Sequence, residues 1–156
     1  MYVVVILLLT VVAPLVSGII AGSATGWAGG PLYVFGMSWV FWGLGIRLLA
    51  AGISQIVRPQ FTSEKILNID APGATQVVQE LGFMNFAVGL AGVISQSVPA
   101  WAPAIGLAGG GFLLLAGLRH VVKKDKNVRE WTACLTDILV GVIGVAFGVG
   151  SLLGFA

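Results

Sequence analysis

Residues 75–98 read TQVVQELGFMNFAVGLAGVISQSV. The run is apolar and long enough to cross a bilayer, yet it carries a carboxylate, Glu80, about one and a half turns inside its start. A charge at such depth costs on the order of 2.5–3.5 kcal/mol on insertion scales, which predicts a partner or a wet cavity. The cation expected to meet it is Arg47, on a different apolar run, with Asp137 close by on a third.

Working outward, the segment before this run, 58–74 (RPQFTSEKILNIDAPGA), holds both signs of charge and two prolines and reads as a loop. Its apolar residues Phe61, Ile66, Leu67 and Ile69 place part of it on a membrane surface, as a short helix. The segment after it, SQSVPAWAP, is an uncharged turn. Upstream, 31–57 is a second apolar run, longer than a straight crossing needs and therefore tilted or interfacial at one end. Arg47, Gln55 and Arg58 share one face of it. Tyr33 suits an interfacial belt, and Trp39 and Trp42 read as packing groups. At the start, 2–21 forms a first run. Only Met1 precedes it, whereas a signal peptide would carry a basic stretch there, so a retained helix is expected. Pro14 predicts a kink, with Thr10 or Ser17 to satisfy freed carbonyls. Downstream come spans at 101–122 and 131–155.

Composition agrees. Of 156 residues, 58% are hydrophobic and 9% charged, against about a quarter charged in soluble domains. There is too little polar surface to cover a water-soluble globule. The expected fold is therefore an all-α polytopic transmembrane bundle of five spans, forming a single domain over 1–156, with loops 58–74 and 123–130 on the cytoplasmic side. The orientation comes from the positive-inside rule: the loops after spans two and four carry Arg58, Lys65, Arg119, Lys123, Lys124, Lys126 and Arg129, and the alternate loops carry no Lys or Arg. This puts the N-terminus inside, the C-terminus outside, and the protein in the cell inner (plasma) membrane.

In this topology Arg47, Glu80, Asn85, His120 and Asp137 fall in one polar layer near the cytoplasmic end. Three readings remain open. The layer is an ion-pair network locking three helices in register; or it is a proton or ion relay, or a substrate pocket; or His120 is an axial ligand to a haem- or chlorophyll-type macrocycle. Glycines supply packing grooves: Gly106 and Gly110 on span four, Gly144 and Gly148 on span five, and Gly82 and Gly89 on span three.

Other chemistry is missing from the sequence. It contains no GxxxxGK[ST] loop, no HExxH and no CxxC. Cys134 and His120 are each the sole residue of their kind, so no disulfide or multi-histidine metal centre can form within the chain. No catalytic residue and no metal ligand is expected, and no cofactor is predicted beyond lipid, with a quinone or macrocycle as the remaining alternative. Nothing points to nucleic acid.

The stretch Gln79-Glu80-Leu81-Gly82-Phe83-Met84-Asn85-Phe86, continuing to Gly89 and Gly92, resembles the core motif of a family of small prokaryotic multi-pass membrane proteins known only as a domain of unknown function. His120, Asn127 and Asp137-Ile138-Leu139 are similar to its C-terminal half. A remoter similarity is to DoxX-like four-helix membrane proteins. The resemblance implies a membrane bundle in which Glu80, Gly82, Asn85, His120 and Asp137 matter, and implies no reaction. The leading functional expectation is a non-enzymatic accessory or scaffold subunit, associating with itself or with other transmembrane subunits. The alternatives are a small transporter or proton-conducting bundle using Arg47, Glu80 and Asp137, and a pigment- or quinone-binding subunit.

Overall fold

Pro14 shows how local chemistry shapes the bundle. Proline has no N–H to give the carbonyl of the residue four before it, here Thr10. The helix opens into a wide π turn over Leu8–Val12, and the Thr10 carbonyl accepts instead from the indole Nε1–H of Trp39 on the next helix, at 3.0 Å. Thr10 is fully buried and Trp39 nearly so. Trp39, expected only to pack, thus also satisfies the backbone that Pro14 leaves short. Thr10 itself donates to the carbonyl of Ile6 at 2.7 Å. Trp39→Phe keeps the ring and removes the donor. It is expected to cost about 1–3 kcal/mol, the desolvation of an orphaned buried carbonyl, read as lost stability in reversible unfolding from lipid–detergent micelles.

The computed structural model describes residues 1–155. Five helices are long and apolar enough to cross a membrane: α1 (Tyr2–Thr25), α2 (Gly30–Val57), α4 (Ala74–Ile94), α5 (Pro99–Val122) and α6 (Val128–Leu152). A short helix, α3 (Pro59–Lys65), lies between α2 and α4. No strand occurs among the described residues. The core is centred on α2, through Trp39, Val40, Leu44 and Leu48, and is completed by Ala102 and Leu113 of α5 and Val140 and Phe147 of α6. The fully packed positions of α1 form a small-residue stripe, with Thr10, Pro14, Gly18 and Gly22 buried.

Some boundaries differ from expectation. α4 stops at Ile94, and residues 95–98 belong to the turn. α6 begins at Val128 rather than 131, because Asn127 caps it: its side-chain oxygen accepts the N–H of Glu130 at 2.9 Å. It ends at Leu152 rather than 155, ahead of Gly154 at φ +77°.

Glycine sets the pairing of helices. α5 packs along α6, where Gly106 and Gly110 meet Gly144 backbone to backbone and Gly148 meets the Pro103 carbonyl. α4 packs along α2, where Gly89 abuts the backbone of Leu49 and Gly82 abuts Gln55 and Ile56. All six glycines expected to form grooves are thus filled by this chain's own helices. α4 and α5, by contrast, barely touch. The gap between the two glycine-sealed pairs is where the candidate site lies.

Candidate functional site

A second wide turn, Val40–Ile46, interrupts α2 immediately before Arg47. One extra residue in a helical turn rotates everything after it by about 100°, so this turn helps to set which way Arg47 projects. It projects inward. Arg47 is 7% exposed and Asp137 of α6 is 6% exposed, and Arg47 Nη2 is ion-paired with Asp137 Oδ1. The same nitrogen approaches Thr136 Oγ1 at 3.5 Å. Arg47 Nη1 is buried and has no hydrogen-bond partner among the described residues.

Glu80 is not the partner of Arg47. It is exposed on α4, accepts a hydrogen bond from Gln76 at 3.3 Å, and forms no ion pair among the described residues. The reason is helical phase. The buried stripe of α4 is Val78, Gly82, Asn85, Gly89 and Gly92, and Glu80, two residues past Val78, lies about 200° around the axis from it.

The other expected polar residues fall into separate pairs rather than one network. Asn85 Nδ2 donates to Gln55 Oε1 of α2 at 2.8 Å, both buried. Gln79 donates to the Ile56 carbonyl at 3.1 Å. Arg58, expected on the same face as Arg47 and Gln55, is exposed. His120 of α5 meets Glu130 Oε1 through Nδ1 at 3.1 Å.

Glu130, absent from the expected layer, is fully buried. It also takes Lys123 Nζ on Oε2 at 2.9 Å. Lys123 reaches across to the Leu67 carbonyl, and Asn127 Nδ2 donates to the Ile66 carbonyl at 3.1 Å. The α5–α6 turn is thereby tied to the segment following α3. The signal for Glu130 was present as Asn127-x-x-Glu130, the spacing of a capping box.

These elements enclose a cavity of about 290 Å³, at the lower end of the roughly 300–1,000 Å³ typical of small-molecule sites. α1 contributes Val5, Ile6 and Leu9 to its wall, and α3 with its following segment contributes Phe61 and Leu67. The polar lining falls at two levels, Arg47 with Asp137 and, about two turns (about 12 Å) further along α2, Gln55 with Asn85; Tyr2, Ser54, Thr62 and His120 complete it. Two lining residues, Val5 of α1 and Phe112 of α5, are also exposed. No group of three or more His, Cys, Asp or Glu residues able to hold a metal ion occurs among the described residues. The chain matches no protein-family model, no curated protein and no solved structure.

Proposed function

We propose that this chain is a non-enzymatic, multi-pass protein of the cell inner membrane that takes a lipid-soluble amphiphile into the cavity between its two helix pairs. The charged turns face the cytoplasm in this reading, on the strength of the Lys and Arg bias between alternate loops. The observation that carries it is the cavity: its walls are mostly apolar, a few polar groups enter them, and two of the lining residues, Val5 of α1 and Phe112 of α5, are also exposed at the surface. A site of that build suits a molecule with an apolar body and a small polar head.

Other readings draw less support. For conduction through Arg47, Glu80 and Asp137, the acids would have to exchange protons, and Glu80 stands outside the cavity with Gln76 as its partner. For an accessory or scaffold subunit, the glycine stripes offer no docking surface, since the chain's own helices fill them.

The test is native mass spectrometry of protein released from lipid nanodiscs. The wild type is expected to retain a small-molecule adduct that Ala116→Phe and Ala51→Phe, each adding a ring to a cavity-lining position, lose while remaining folded. Equal retention by wild type and both variants would count against the cavity as the site.

A further inference from the structure

The cavity wall carries a pair of amides that is only half closed. Gln55 of α2 is 7% exposed and Asn85 of α4 is 5% exposed, and both line the cavity. Asn85 Nδ2 donates to Gln55 Oε1 at 2.8 Å. Two amides set side by side can make a second bond, here from Gln55 Nε2 to Asn85 Oδ1. That bond is not made, and neither atom has another partner among the described residues. The unpartnered side-chain atoms sealed off inside the fold are Arg47 Nη1 and Ser151 Oγ. Gln55 Nε2 and Asn85 Oδ1 are open by comparison. Their residues are more than nine-tenths buried and belong to the cavity wall, so the surface these atoms keep is cavity surface. What stands open is one donor and one acceptor. Turning both amides end for end exchanges the owners and leaves the same two groups. The backbones beneath them are already in contact: Gly82 abuts Gln55, and Gly52 abuts Phe86 next to Asn85. The two amides are thus held on packed helices rather than on loops.

We propose that this pair receives the hydroxyl of an uncharged amphiphile, the hydroxyl oxygen accepting from Gln55 and its hydrogen donated to Asn85; this rests on the cavity being a ligand site. A hydroxyl is at once donor and acceptor, so one small group satisfies both amides. A ketone or an ester would serve Gln55 and leave the Asn85 oxygen unpaired, with the penalty of a buried orphan. A carboxylate or phosphate would do the same and add a charge. Arg47 and Asp137, the only Lys, Arg, Asp or Glu residues on the cavity wall, are paired with each other, about two turns of α2 away. No counter-charge on the wall is free to meet a charged head, and unbalanced charge in an apolar site is penalised.

The test uses protein in phosphatidylcholine nanodiscs, whose lipid carries no hydroxyl. Decanol and decyl methyl ether are added together at equal mole fraction, and native mass spectrometry of the released protein reads the ratio of the two adducts. The ether accepts a hydrogen bond and cannot donate one. Wild type is expected to favour decanol roughly threefold to tenfold, the range for one neutral hydrogen bond. Gln55→Met with Asn85→Leu removes both amides, leaves neither of them orphaned, and is expected to abolish the preference. Ala116→Phe, which fills a cavity-lining position, is expected to take up neither probe. A wild type without the preference, or a folded double variant that keeps it, would mean that the amide contact is wrong. Loss of both adducts in Ala116→Phe would then leave the cavity reading standing, and equal uptake by Ala116→Phe and wild type would remove that reading as well. The alcohol–ether ratio needs only wild-type protein, so it decides the matter even where the double variant does not fold. Tighter binding of decanoate than of decanol would overturn the uncharged head. In the membrane the hydroxyl belongs either to a glyceride or to a quinol. A short-chain diacylglycerol or a short-tailed benzoquinol is expected to displace decanol, and the one that does identifies the body; displacement by neither would overturn the assignment.

Discussion

Asp137→Ala is expected to destabilise the folded bundle by about 3–5 kcal/mol, the cost of breaking a buried ion pair from one side. The loss is not the worth of the pair. It is the cost of leaving the Arg47 guanidinium, buried between α2 and α6, without a counter-charge. On insertion scales an arginine at that depth costs about 2.5–3.5 kcal/mol, which is of the same size. The argument therefore makes a second, sharper demand. Arg47→Met with Asp137→Leu, which removes both charges, should lie within about 1 kcal/mol of wild type or above it, since well-packed apolar replacements of buried pairs are often neutral or stabilising. Glu80→Ala, an exposed acid without an ion-pair partner, should change stability by less than about 0.5 kcal/mol. Reversible unfolding in lipid–detergent micelles, followed by circular dichroism, ranks the three. A Glu80→Ala loss as large as that of Asp137→Ala would restore Glu80 as the partner of Arg47 and break this account.

Gly89→Leu is expected to cost about 3 kcal/mol or more and to lower the yield of folded protein. A Cβ at Gly89 would lie 2.3 Å from the Leu49 backbone nitrogen and 2.9 Å from the Gly45 carbonyl oxygen. Both obstacles are backbone, so no rotamer change can relieve them, and α4 must move away from α2. Single added methylenes in packed cores already cost about 1–3 kcal/mol; here four carbons are added where helices touch. Separation also pulls Asn85 from Gln55, so the cavity should lose its shape. Gly111→Ala is the control. A Cβ there meets nothing within 4 Å, and an interior helical glycine replaced by alanine gains about 0.5–1 kcal/mol. Equal losses at both positions would mean that glycine acts here through helix propensity rather than close approach.

The helical plan was legible in the chain. Low charge and long apolar runs define five helices able to cross a membrane, and the breaks between them carry the prolines, glycines and charges that end helices. Arg47, Asn85 and Asp137, which are buried, and His120, which is half-buried, could be singled out because a polar group within an apolar run must find a partner. The partners themselves could not be read. They depend on the phase of each helix about its axis, and two wide turns, in α1 and α2, shift that phase by an amount no apolar pattern reports. Glu80 and Asp137 look alike in sequence, each an acid shortly after a helix start. Only packing decides that Asp137 lies on the buried stripe of α6 and Glu80 on the far side of α4. Glu130 hid in a basic turn that reads as topology alone, and it is buried because that turn folds back over the segment after α3. Hydrophobicity along the chain determined which segments enter the bundle. The close approach of glycine backbones, which joins helices in pairs and leaves a gap between the pairs, decided which charges meet and where a cavity opens.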